Sequence, residues 1–119
     1  MNWYLTKLVY RIICGSGDHT AQFDEQLRLI EAEDEMTAFA KATLLGKREE
    51  ELFFNHQQKL VQWQFVNVSE LYKISALIDG AELYSRVQET ENADLYMELV
   101  NKKAANIQSN TTHKFLQLF

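Results

Sequence analysis

The run Trp3–Cys14 contains no residue that interrupts a strand, and it stops on Gly15-Ser16-Gly17-Asp18. Aromatic and β-branched side chains dominate it, and the glycine-rich quartet turns the chain back. The chain must therefore house one long strand and a hairpin partner. Period two splits the run into two faces. Tyr4, Thr6, Leu8, Tyr10, Ile12 and Cys14 share one face; Trp3, Leu5, Lys7, Val9, Arg11 and Ile13 share the other. The first is the more apolar and is expected to meet the core. The second mixes apolar side chains with two cations.

Phe23–Glu33 reads as the second strand, antiparallel to the first through the Gly15–Thr20 turn. Phe23, Leu27 and Leu29 fall on one parity, and Arg28, Ile30 and Ala32 on the other. A bulge would shift the phase, so the faces stay unassigned at this point. Asp34 then caps a helix, with acidic residues in its first turn favoured by the helix dipole. Met36, Phe39, Ala42 and Leu45 recur at threes, and Gly46 with Lys47-Arg48 marks an end. Continuation through Glu51 is the alternative.

Glu50–Asn55 and Lys59–Val68 read as a hairpin around Asn55–Gln58. Val61, Trp63 and Phe65 share one face of its second arm; Gln62, Gln64, Val66 and Val68 share the other. Ser69–Leu77 is a connection of open type, and Asp79-Gly80 signals a turn. Ala81–Gln88 reads as a last strand. Glu91 or Asn92 opens a second helix, whose apolar stripe is Ala93, Tyr96, Met97, Val100 and Ala104 and whose end lies near Ile107. The polar run Ser109-Asn110-Thr111-Thr112 is expected to be loose.

The fold class is α+β: a mostly antiparallel sheet of four to five strands with two helices packed on one face, in the order ββαβββα. Residues 1–108 form a single domain on this reading. Residues 109–119 form a C-terminal tail, docked or partner-binding. A chain of 119 residues buries about two-thirds of its unfolded surface, enough for one core without metal or disulfide.

Charge narrows the partners. Seventeen Asp and Glu against twelve Lys and Arg leave a net charge of -5, which argues against nonspecific nucleic-acid binding. No apolar run is long enough to span a membrane. Lys7 and Arg11 interrupt the N-terminal apolar run, so no signal peptide is expected. The lone Cys14 suits a reducing, cytoplasmic location.

Five stretches resemble a known family. They are Trp3-Tyr-Leu-Thr-Lys-Leu-Val-Tyr, Glu25-Gln-Leu-Arg-Leu-Ile-Glu-Ala-Glu-Asp-Glu, Ala38-Phe-Ala-Lys-Ala with Leu45-Gly46, Val61-Gln-Trp-Gln-Phe-Val, and Asp79-Gly-Ala-Glu-Leu-Tyr-Ser-Arg. Together they are similar to the bacterial domain of unknown function 4288 (DUF4288) over about residues 3–90. The last stretch is the most specific. The resemblance implies a small cytoplasmic bacterial protein and supplies no activity.

Chemistry is sparse. His19, His56 and His113 lack a second ligand at metal-binding spacing, so no metal and no cofactor are implied. Cys14 reads as a small buried hydrophobe. Gly15-Ser16-Gly17 is a turn rather than a phosphate loop, because the chain re-enters a strand. Glu25, Arg28, Glu82 and Arg86 read first as cross-strand ion pairs. Glu82 and Arg86 flank Tyr84, so Glu82, Tyr84, Arg86, Glu25 and Arg28 are the ligand-binding candidates. No catalytic residue is assigned.

The open sheet face is the main candidate surface. Trp3, Leu5, Lys7, Val9 and Arg11 are its interface residues, with Phe115 and Phe119 from the tail either covering it or meeting a partner. The expected function is a noncatalytic binding module that self-associates through that face, as a homodimer. The alternatives are a partner-specific binder of antitoxin or immunity type, and a small-molecule-binding protein or enzyme using Glu82, Tyr84 and Arg86.

Overall fold

A computed structural model describes residues 1–117, with side chains described through residue 110. The chain groups into two compact units, Met1–Ser85 and Arg86–Phe119. The first holds a four-stranded antiparallel sheet and one helix. Its elements are β1 (Asn2–Cys14), β2 (Gln22–Ala32), α1 (Glu35–Arg48), β3 (Glu51–Phe54) and β4 (Leu60–Ile74), with spatial order β2-β1-β4-β3. The second unit carries α2 (Ala93–Gln117).

The sheet follows from the alternation of β1. Tyr4, Thr6, Leu8 and Tyr10 are buried on one face, against Ile30 and Ala32 of β2 and Val68 of β4. Helix α1 lies on that face through Ala38 and Ala42, whose small side chains allow close approach. Asp34 caps it: the Asp34 carboxylate accepts from Thr37 N at 2.7 Å. That bond, together with the Thr37 side chain, holds the Asp34 carboxyl below its ordinary range. The helix stops at Arg48 rather than running on through Glu51, because Glu51–Phe54 pairs with Leu60–Trp63 as a hairpin.

Two bulges in β4 change the face assignment there. The β1–β4 register steps between Val9 and Tyr10 and between Lys7 and Leu8. Each step adds a residue on β4, so Phe65, Val68 and Leu71 follow one another on the core face at threes rather than twos. Val68 is thus buried opposite Leu8, not on the Gln62–Gln64 face as simple alternation expects. The Asn67 side chain accepts from Val68 N at 2.8 Å and satisfies a donor at the first bulge. The bulges also let β4 continue to Ile74, through the segment read as a connection.

Residues 81–88 form no strand. The turn before them forms as expected: Ala81 N donates to Ile78 O at 3.0 Å, and Gly80 sits at φ 83. The returning chain does not extend the ladder along residues 64–74 of β4, where β3 does not reach. It is held instead by Tyr84, whose ring meets Tyr72 edge-on at 5.5 Å.

In the second unit, Asn92 caps α2 by accepting from Leu95 N at 2.9 Å. Arg86 donates to Gln88 Oε1 at 2.7 Å, and Gln88 donates to Tyr96 Oη at 3.1 Å. The helix does not end near Ile107 but passes through Ser109–Thr112 to Gln117. No glycine or proline lies in that stretch, and polar residues of middling propensity cost a growing helix only tenths of a kcal/mol each. Phe115 lies within α2, its side chain outside the described residues; Phe119 is outside them altogether.

Candidate interaction surface

Helix α1 covers one face of the sheet, and the opposite face carries the side chains of odd parity from β1 and β2. Their register sets them in rows: Trp3 with Glu31, Leu5 with Leu29, Lys7 with Leu27, Val9 with Glu25 and Arg11 with Phe23. Leu5 is buried there, Trp3, Val9 and Ile13 are half-buried, and Arg11 is exposed. The sequence places the two cations alike, as a rim. The structure separates them, turning Lys7 inward to an ionic cluster.

Lys7 Nζ lies 3.0 Å from Glu70 Oε2, an oxygen closed to solvent, and 3.9 Å from Glu25 Oε2. Glu70 is the cross-strand partner of Lys7, so the pair is set by register rather than by a flexible reach. Tyr84 stands over the same lysine, with its ring centroid 6.0 Å away. The Glu70 carboxylate beside it raises Lys7 above the ordinary lysine range; burial opposes it, and Glu25 adds to the rise. Burial and then Glu70 push the neighbouring Tyr72 phenol up. Such a cluster fixes charge in place on the face.

Beyond the cluster the face is apolar and open. Phe23, Leu27 and Leu29 of β2 are 56%, 55% and 47% exposed on one parity, with Glu25 between the first two. A row of large exposed apolar side chains along one strand is the mark of an interaction surface. These three escape the sequence reading, which stops at the bulge question. Their shared parity was the available signal, and the unbroken β1–β2 register now places it.

The ligand-binding candidates are dispersed. Glu25 and Arg28 sit on β2 but on opposite faces. Glu25 joins Lys7, whereas Arg28 pairs with Glu49 at the end of α1 and donates to Gln26 Oε1 at 3.0 Å. That second pair lines a polar cleft of about 530 Å³ with Tyr10 and Trp63. Glu82 and Tyr84 share a shallow cleft of about 300 Å³ with Tyr72 and Ser75. Arg86 belongs to the second unit and is engaged by Gln88.

The hairpin turn after β1 brings Cys14 near His19. Cys14 N donates to His19 Nε2 at 3.0 Å, so the ring proton rests on Nδ1, which faces Thr20 O at 2.8 Å. Both nitrogens serve the turn. Among the described residues no group of three His, Cys, Asp or Glu side chains is arranged to hold a metal, and no helix is long and apolar enough to cross a membrane.

The family model of the domain of unknown function DUF4288 matches residues 3–85, and the chain belongs to that family. The matched span coincides with the sheet-and-helix unit, Met1–Ser85. No match is found among the curated proteins or the solved structures.

Proposed function

We propose that this member of the DUF4288 family is a noncatalytic binding module that self-associates through its sheet. One observation carries the reading: Phe23, Leu27 and Leu29 are large exposed apolar side chains, with Glu25 between the first two, on the face that α1 leaves uncovered. Leaving such side chains in water forgoes roughly 1.5–3 kcal/mol for each one that a partner would bury fully. The net charge of -5 supports a protein partner rather than a polyanion. The fixed Lys7–Glu70 pair at the middle of the face gives it an orientation that a purely apolar patch lacks.

Light scattering on the full chain across protein concentration and salt tests the proposal. A salt-resistant mass of two chains is expected, with Leu27→Glu shifting it to one. A single-chain mass at every concentration overturns self-association. Capture of a basic protein by that monomer, lost in Leu27→Glu, would then favour the partner-specific alternative.

A further inference from the structure

The strand that carries the apolar row is also an edge. β2 runs for 11 residues and pairs on one side with β1, and among the described residues no strand lies on its other side. The opposite edge is broken: β3 is only 4 residues long, and past it the edge passes to residues 64–74 of β4, which two bulges bend. Long unpaired edges are normally blunted by proline, by outer bulges or by inward charges, because their free backbone groups template another strand. The chain has no proline, the bulges lie between β1 and β4, and the charges that β2 turns to the α1 face, Asp24 and Arg28, are of opposite sign and bridged by Gln26. Lys41 Nζ reaches the Glu31 carbonyl, covering one end of β2 and leaving Phe23–Leu29 open.

The side chains of this edge complement themselves in one register. A two-fold axis through Gln26 would set each β2 antiparallel to its copy, with Phe23 opposite Leu29, Glu25 opposite Leu27 and Asp24 opposite Arg28. The apolar pair falls on the open face and the Asp24–Arg28 pair on the α1 face, twice each by symmetry. Neighbouring registers fare worse. An axis through Glu25, Asp24 or Arg28 opposes that charge to its own copy, and an axis through Leu27 opposes Phe23 to Glu31 and forms no ion pair. Like charges directly opposite oppose pairing, and unlike charges and apolar pairs favour it. Within the chain, Gln26 already links the two charged residues: it donates to Asp24 Oδ2 at 2.6 Å and accepts from Arg28. Each copy therefore presents a preformed row of acceptor, amide and cation, the cation shared with Glu49, to the reversed row of its partner.

We propose that a second copy of this chain pairs with β2 edge to edge about Gln26, joining two sheets into one of eight strands. This rests on the self-association reading above and gives it a register. The pairing leaves both α1 helices on one side of the joined sheet and merges the two open faces on the other.

Site-directed disulfide capture in the full chain tests it, in a Cys14→Ser background checked by circular dichroism. Gln26→Cys places two thiols directly opposite, within about 4.5–5.5 Å at Cβ, and mild oxidation is expected to give a covalent dimer. Gln22→Cys puts its thiols about 26 Å apart at 3.3 Å per residue and is expected to stay unlinked. Phe23→Lys, at an exposed position that does not support the core, is expected to weaken dimerisation at least tenfold. A two-chain mass by light scattering without the Gln26 link, or with Gln22 linking as well, overturns the register and leaves self-association standing. An unweakened Phe23→Lys dimer overturns the edge pairing in the same way. A one-chain mass overturns both.

Discussion

Tyr10 donates its phenolic hydroxyl to the carbonyl oxygen of Gly46 at 2.8 Å, joining the middle of β1 to the last turn of α1. The final carbonyls of a helix have no intrahelical partner. Leu45 O and Lys47 O are met by Glu49 N and Glu50 N, while Gly46 O is met from the sheet by Tyr10. Tyr10→Phe keeps the ring contacts with Trp63 and Phe65 and strands that buried acceptor. The expected loss is about 1–3 kcal/mol of unfolding free energy, read from urea denaturation. A value near zero would show that water replaces the hydroxyl.

The same tyrosine sets an alkaline limit. Burial, reinforced by Glu49, pushes its phenol above the ordinary tyrosine value of 10.0. A raised pKa means that the folded state holds its proton more tightly than the unfolded state. Stability is therefore fully present below about pH 10 and falls as pH rises through the folded value. Urea midpoints measured at increasing pH should fall more steeply above pH 10 for the wild type than for Tyr10→Phe.

Gly46 is fixed by space rather than by backbone angle. A Cβ at this position would overlap the ring of Phe65, which packs against the helix from β4. Gly46→Ala improves helix propensity by roughly 0.5–1 kcal/mol. Overpacking outweighs that gain, at a typical cost of about 1–3 kcal/mol. The net expectation is destabilisation, with Phe65→Leu in the same chain recovering part of it. A stabilised Gly46→Ala would mean that the ring moves aside freely.

Asp34 makes the opposite pH dependence. Its carboxyl is held below 3.8 by the Thr37 backbone amide, with the Thr37 side chain adding to the effect. A depressed pKa contributes stability above the unfolded value, and that contribution is lost as pH falls through the folded one. Asp34→Ala should lower the urea midpoint at pH 7, and Asp34→Ser should restore most of it as an alternative cap. The gap between wild type and Asp34→Ala should close progressively below pH 3.8.

The first helix and its cap were legible because their signals are local: Asp34, the threes from Met36 to Leu45, and the Gly46 end all lie within one segment. Alternation in β1 likewise named the buried face of Tyr4, Leu8 and Tyr10. The β4 faces were not legible, since the bulges beside Val66 and Ser69 are set by pairing with β1 and leave no mark in composition. Residues 81–88 misled for a related reason. Their pattern fits a strand, but the contact that forms there is between side chains, Tyr84 on Tyr72, and not a backbone ladder. The apolar row of Phe23, Leu27 and Leu29 was visible as a parity; its exposure depended on which face α1 chose.

Lys7 and Glu70 provide the last test, because register alone places them opposite each other. Glu70→Leu removes the partner of a lysine whose side chain is only 21% exposed, leaving its charge with the more distant Glu25. Lys7→Met with Glu70→Leu removes both charges and adds apolar surface beside Tyr72 and Tyr84. Stranding one partner of a pair is usually worse than replacing both. The double variant is therefore expected to have a higher urea midpoint than Glu70→Leu alone, with clear non-additivity in the cycle. The Lys7 pKa is raised above 10.5, chiefly by Glu70, so the pair contributes fully below that pH and loses its contribution as pH rises through the folded value. The coupling measured in the cycle should accordingly shrink on the alkaline side; a coupling that is the same on both sides would mean that packing, and not charge, joins the two residues.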